Sequence, residues 1–584
     1  MAVKNELKRR SGVLVPLFSV YSEKSFGIGD FEDLKLLIDW CNSTGNSILQ
    51  LLPMNEVGPT FCPYDSISSF ALEPMYISLN VLKGAKIKPV KEKIAKLHVD
   101  YRISEEKCNI VSDIFKREVD FARKSGFQKF IKENAYWLDD FSMYKALKSY
   151  HAGAPWYEWN EGYKRRDNYI LEEFGKEHKD ELNLYKWTQW HLFEQFKNVK
   201  EYAKSKQVLL KGDLPMLVSR DSADVWTHHE FFKLEYAAGA PPDMYCAKGQ
   251  RWGMPTYNWE NIEADDFKYI KEKLKFAQKL YDILRIDHVV GLFRIWSIPY
   301  NEPMENQGLN GFFDPASEKA WGGRGKKLLS VLRDNTSILL CAEDLGIIPK
   351  VCPDTLKEMR IPGNDVQRWV KDWKVKHDFL KGDKYRKLSV AMLSTHDTTN
   401  WAAWWENEAG TVDGDLFLRK CENRSINFHA VKEILFDPAR SKHGRLRWRE
   451  EINSTDKYVE ILGKKHEELK DFIEVYENTY LEKEKLWEHL KLKGNMREKS
   501  DFNIVRAALE ITAASKSCFC IELIFDLLNL ADICKGDPYE YRINSPGTVS
   551  PKNWSLRIPL SLEELLRHKV NKEIKEIIKM SGRA

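Results

Sequence analysis

The sequence predicts an α/β fold, a (β/α)8 TIM barrel with large helical insertions between strands 2 and 3, 3 and 4, and 7 and 8. Three observations lead there. Eight short apolar runs bounded by turn residues recur along the chain. Several are apolar on consecutive positions, as in Val208-Leu209-Leu210 and Ile338-Leu339-Leu340. Continuous apolarity marks strands buried on both faces of a parallel sheet. Helical patterns lie between many of these runs, and eight strand–helix units suggest a closed barrel. Periodicity alone does not separate that barrel from an open, doubly wound sheet.

In chain order, the predicted strands are 12–17, 47–53, 207–215, 284–288, 337–344, 365–370, 389–395 and 518–525. The first needs an argument. Lys8, Arg9 and Arg10 precede the apolar run 13–20, which loosely mimics a secretion signal. The run contains Pro16 and no small-residue cleavage site follows, so it is read as the first barrel strand. After it, Asp30 can cap a helix whose apolar face is Phe31, Leu34, Leu37, Ile38 and Cys41. Three later connections are too long for simple crossovers. Residues 81–206 are charged and helix-like, with aromatic clusters at Trp137, Trp156 and Trp159. Residues 216–283 hold a loop rich in Pro, Gly and Trp, and residues 401–516 are strongly charged. Within the latter, 456–492 reads as long exposed helices. The predicted organisation is one catalytic barrel over 1–584 with inserted subdomains at 81–206, 216–283 and 401–516.

Composition narrows the function. Of 584 residues, 12% are aromatic and 19 are Trp, which suits stacking on sugar faces as well as core filling. The 91 basic and 87 acidic residues nearly cancel, which argues against nucleic acid as a partner. Ten Cys without paired or zinc-type spacing fit reduced thiols in a cytoplasmic protein. No apolar stretch reaches the roughly 18 residues that would span a bilayer, so no membrane association is expected. His228-His229 has no ligand spacing, Gly27-Ile28-Gly29 lacks a third glycine at the dinucleotide spacing, and 322–327 is no phosphate loop. All three are read as structural, with no metal and no cofactor.

Active residues of a barrel enzyme sit at the C-terminal ends of strands. Here those ends read Gly212-Asp213, Arg285-Ile286-Asp287-His288, Ala342-Glu343-Asp344 and Thr395-His396-Asp397. Four strand ends therefore present carboxylates to one mouth. Retaining glycosyl transfer needs one ionised carboxylate as nucleophile and one carboxylic acid as proton donor, roughly 5 Å apart. Arg285 lies two residues before Asp287, on the same face of a strand, where its charge favours an ionised nucleophile. The bland reading is that acidic strand ends cap helices or pair with cations.

Longer motifs add to this reading. Phe26-Gly27-Ile28-Gly29-Asp30, Gly212-Asp213-Leu214-Pro215, Asp221-Ser222-Ala223-Asp224-Val225-Trp226 and Pro241-Pro242-Asp243 occur in order. Gly249-Gln250-Arg251-Trp252-Gly253-Met254-Pro255, the three catalytic segments, Pro546-Gly547-Thr548 and Asn553-Trp554 follow. Together they resemble the amylomaltase (disproportionating enzyme) type of 4-α-glucanotransferase, glycoside hydrolase family 77. Val289-Val290 and the stretch 291–296 look more like the plant cytosolic disproportionating enzymes, and Phe61-Cys62 replaces the acidic-Ser pair usual before Pro-Tyr.

The resemblance implies roles. Asp287 is the nucleophile, Glu343 the general acid and base, and Asp397 the grip on the 2- and 3-hydroxyls of the reacting glucose. Arg285 and His396 bind in the same subsite and Asp213 supports it. Tyr64 stacks on the donor sugar, and Trp252 sits in a substrate-covering loop over 249–255. The implied substrates are maltooligosaccharides and glucose, with glycogen or starch-like glucan as polymer forms. A closing lid that excludes water favours transfer over hydrolysis. Two rivals remain at this stage. An α-amylase-like hydrolase would release reducing ends steadily, and a silent glucan-binding protein would not need all three carboxylates.

Overall fold

Eight strands form one parallel sheet: β1 (Arg10–Leu14), β2 (Ile48–Gln50), β3 (Leu209–Leu214), β4 (Ile283–Ile286), β5 (Leu339–Ala342), β6 (Gly363–Val366), β7 (Ser389–Met392) and β8 (Phe519–Leu523). The structure is a computed structural model that describes residues 7–83, 96–118, 120–243 and 246–584. The parts of the predicted insertions at 84–95, 119 and 244–245 lie outside the described residues. Neighbours run in the order β5-β4-β3-β2-β1-β8-β7-β6. The strands are mostly buried, which is why stretches such as Leu339–Ala342 read as apolar runs; β6, Gly363-Asn364-Asp365-Val366, is buried yet polar, and 367–369 turns away from the sheet where the predicted strand 365–370 would have continued.

The ring closes between β5 and β6. Ala342 N–H donates to the Pro362 carbonyl at 2.8 Å, and Asn364 N–H donates to Asp344 Oδ1 at 2.7 Å. Gly363 permits this approach, because a Cβ there would lie 2.4 Å from Asp344 Oδ2. Arg386 spans the same seam, donating through Nε to Asp365 Oδ1 at 2.8 Å and pairing with Asp344.

Helices cover the outside. Helix α1 (Asp33–Thr44) follows β1, and its face of Leu34, Leu37, Ile38 and Cys41 is fully buried together with Phe31. Asp30 Oδ1 accepts the N–H groups of Glu32 and Asp33 at 2.9 and 3.3 Å, the capping expected at this position. Between β2 and β3 come α2 (Arg102–Arg117), α3 (Ser125–Tyr150) and α4 (Lys179–Ser205). Barrel helices α5 (Lys268–Leu280), α6 (Glu318–Asp334), α7 (Val351–Glu358) and α8 (Phe502–Ala514) follow, and α9 (Val570–Met580) packs on α1. Among the described residues no helix is long and apolar enough to cross a membrane.

Two features were not anticipated. Residues 216–283 contain strands as well as short helices. Tyr236–Ala240 and Gln250–Arg251 join Ile295–Pro299 and Phe312–Asp314 in a four-stranded antiparallel sheet. The second concerns 456–492, which holds short helices of 8 to 10 residues, Thr455–Leu462, Lys470–Thr479 and Glu482–His489, instead of long exposed ones. The first two each bury one face in a second core around Phe417, Trp448, Tyr458, Phe472 and Tyr476. Their charges occupy the other face, and the apolar residues at helical spacing carry the packing.

Candidate active site

The C-terminal ends of the strands open into a cleft of about 2580 Å³ lined by Tyr64, Trp252, Arg285, Asp287, Glu343, His396 and Asp397. That is well beyond the few hundred Å³ that hold a small ligand. Parallel register assembles its floor. Asp213 on β3 pairs with Arg285 on β4, and Cys341 on β5 pairs with Arg285 from the other side. Arg285 Nη1 donates to both oxygens of Asp213 and to Asp287 Oδ1, each at 2.8 Å. Tyr64 Oη donates to Asp213 Oδ2 at 2.9 Å. Asp213 is therefore saturated by Arg285 and Tyr64 and is fully buried, whereas Asp287 keeps 22% of its side chain open to the cleft.

Glu343 is fixed by backbone donors. His288 N–H reaches its Oε2 at 2.9 Å and Leu345 N–H reaches its Oε1 at 2.7 Å. The first of these depends on a sharp turn after β4, where His288 adopts φ 42°, the left-handed region. The turn folds the residue after Asp287 back toward Glu343, so the two carboxyl-bearing strand ends are tied through one peptide.

Asp397 sits in a turn beyond β7 and is 45% exposed to the cleft. His396 Nε2 lies 3.2 Å from its Oδ2, and Asn544 Nδ2 donates to its Oδ1 at 2.7 Å. Arg542 donates to its backbone carbonyl at 3.3 Å. The Tyr64 ring stacks on His396 with centroids 5.1 Å apart, and Trp554 tilts against both rings. Trp252 lies edge-on to His288 at 4.8 Å and is held by its Nε1 donating to Gln250 Oε1 at 3.0 Å. Gly249 and Gly253, at φ 68° and 90°, make the bends of this loop.

These environments separate the proton affinities. Burial pushes Glu343 up to about 7, against the opposing charge of Arg285. Burial also raises Asp287, to about 6, and here Arg285 offsets only part of the effect. The spacing of Arg285 and Asp287 reveals the cation but not the desolvation that outweighs it. Asp397 goes the other way. Burial would raise it, but the charge and hydrogen bond of His396, with Asn544, hold it down to about 2. His396 is raised in turn, since Asp397 outweighs burial. A proton donor and an ionised carboxylate are thus both available near neutral pH.

All eight sequence-predicted site residues line or support one cleft. Sequence reasoning missed Asn544, Arg542 and His288. Asn544 and Arg542 come from the loop after β8, just before Pro546-Gly547-Thr548. That motif was the only signal pointing near them.

The geometry can be set beside known proteins. The sequence profile of the family described as 4-alpha-glucanotransferase, glycoside hydrolase family 77, matches residues 15–562. A 4-alpha-glucanotransferase of Chlamydia pneumoniae is 32% identical over 572 residues, 96% of this chain and 93% of that protein. A protein of Oryza sativa subsp. japonica named 4-alpha-glucanotransferase DPE2 is 36% identical over 332 residues, 54% of this chain and 35% of that protein. Among solved structures, an amylomaltase from Streptococcus agalactiae in complex with acarbose aligns with a TM-score of 0.72 at 23% identity, over 99% of this chain and 100% of that one.

Proposed function

Since the chain belongs to the 4-α-glucanotransferase family, glycoside hydrolase family 77, we propose that it moves an α-1,4-glucan segment between maltooligosaccharides by a retaining mechanism on Asp287, Glu343 and Asp397. It is a 4-α-glucanotransferase. The observation that carries the proposal is the convergence of three carboxyl groups on one cleft, with Asp287 held by Arg285 Nη1 at 2.8 Å, Glu343 held by the His288 N–H at 2.9 Å, and Asp397 held by Asn544 at 2.7 Å.

In the first step Glu343 protonates the glycosidic oxygen as Asp287 attacks the anomeric carbon. The leaving chain departs as an alcohol and a β-linked glucosyl-enzyme forms. Asp397, ionised and exposed to the cleft, accepts hydrogen bonds from the ring hydroxyls as positive charge develops. In the second step the Glu343 carboxylate takes the proton of an incoming 4-hydroxyl, whose oxygen displaces Asp287. Arg285 tempers the proton affinity of Asp287, and Asp213 holds Arg285 in place. Tyr64, braced by His396, offers its ring to the donor sugar. Trp252 closes over the substrate and excludes water.

The substrates we propose are maltooligosaccharides and glucose, with glycogen or starch-like glucan as polymers. We also propose residence in the cytoplasm, supported by ten free thiols. We propose that residues 81–206, 216–283 and 401–516 are subdomains inserted in one catalytic barrel. The test is product analysis from maltose and maltotriose in parallel. Maltotriose is expected to yield glucose and a ladder of longer maltodextrins with little gain in reducing ends. A steady rise in reducing ends without longer products would assign hydrolysis instead.

A further inference from the structure

The inserted region 401–516 contributes directly to the wall of the cleft, through Trp404, Glu408, Asp413, His443 and Arg445. Across from them the loop after β8 supplies Tyr539. The rings of His443 and Tyr539 are stacked, centroids 3.9 Å apart and planes within 4°. Two contacts of Asp537 position this pair. His443 has φ 52°, in the left-handed region, and its Nε2 lies 3.3 Å from Asp537 Oδ2. Asp537 Oδ1 also accepts the Tyr539 N–H at 2.9 Å. Three residues on in the same loop, Arg542 donates to the Asp397 carbonyl at 3.3 Å. Arg445 is aimed by Thr411, whose carbonyl takes its Nη2 at 3.1 Å and whose hydroxyl takes its Nε at 3.0 Å.

The chemistry of this patch is that of a polyol site. A flat aromatic plate suits the apolar face of a pyranose. The carboxylates of Glu408 and Asp413 and the guanidinium of Arg445 supply acceptors and donors for hydroxyls. The mixed charges give no net attraction for an anion. Tyr539, Arg542 and Asp397 line the same cleft, so a sugar resting on Tyr539 lies in the groove that leads to the catalytic centre.

We infer that Tyr539 and His443 form a further glucan subsite in this cleft, beyond the one at Asp397, through which the insertion sets the preferred chain length. The inference rests on the transferase reading above. The test compares kcat/KM for maltotriose, maltopentaose and maltoheptaose in the wild type, Tyr539→Ala, His443→Ala and Tyr539→Phe, with melting temperature measured alongside. The two alanine variants are expected to lose about tenfold more kcat/KM on maltoheptaose than on maltotriose, the size of one lost apolar contact in a specificity pocket. Tyr539→Phe, which retains the ring, should recover most of that difference. An equal loss at every length, or no loss at all, would overturn the subsite, the former marking a structural brace. A wild-type enzyme that fails to disproportionate maltotriose would instead sink the transferase reading.

Discussion

Arg285 and Asp213 form a salt bridge at 2.8 Å between side chains 8% and 0% exposed, and the same guanidinium nitrogen serves Asp287 at 2.8 Å. One cation therefore balances a supporting and a reacting carboxylate. Replacing it should be felt by both. Arg285→Gln leaves two carboxylates in a buried setting without their cation, so the proton affinity of Asp287 rises further. The acidic limb of kcat/KM against pH should move upward by about one unit or more. Stability should fall by about 3–5 kcal/mol, the usual consequence of orphaning a buried charge. A limb that stays in place in the purified variant would remove Arg285 from control of the nucleophile.

The intact enzyme should show a narrow bell. Catalysis needs Asp287 ionised and Glu343 protonated. With Asp287 near 6 and Glu343 near 7, those states overlap best between the two values. The free-enzyme profile, kcat/KM, should rise as pH passes the first and fall as it passes the second. Glu343→Gln should cost about 10²–10⁴-fold with the fold retained, and Asp287→Asn should be at least as damaging. A profile flat from pH 5 to 9 with maltotriose would refute this assignment.

Much of this site could be read in the sequence, for a physical reason. Barrel strands buried on both faces show as short apolar runs at β5 and, in part, at β3 and β4, and the polar residue that ends each of these runs stands at the mouth. Asp213, Asp287 and Glu343 are found that way, and Asp397 lies in the turn just beyond its strand. Asn544 and Arg542 were not, because a loop has no period and their partner Asp397 is far away in sequence. The proton affinity of Asp287 was also hidden, since spacing reveals the neighbouring Arg285 but not the burial that outweighs it. In 456–492, dense charge suggested exposure. Phe472 and Tyr476, four apart on one helix face, carried the opposite message and belong to a buried core.

At the opposite end of the barrel, Arg583 is 1% exposed and donates to the carbonyls of Ala513 at 2.6 Å, Ser515 at 2.9 Å and Ser517 at 2.8 Å. It ties the end of α8 and the entry to β8 together. Arg583→Ala should lower unfolding stability by about 3 kcal/mol, since buried carbonyls lose charge-assisted donors. Turnover at low temperature should survive, because no cleft residue is touched. The check is a urea midpoint beside an activity assay, and an unchanged midpoint would show that water replaces the guanidinium without loss.

Glu522 on β8 is 6% exposed, accepts the Leu393 N–H at 2.8 Å, and receives the Cys520 thiol at 3.3 Å. Burial lifts its proton affinity to about 8, from an ordinary value of 4.5. Between those two values the folded protein keeps a proton that the unfolded chain has released. Folding stability contributed by this residue is therefore full below 4.5 and declines as pH rises toward 8. Glu522→Gln retains an acceptor for Leu393 and abolishes the titration. The variant should match the wild type in melting temperature at pH 4.5, then exceed it by about 2 °C or more at pH 8. Parallel melting curves for the two proteins across that range would mean that Glu522 is already ionised in the folded state.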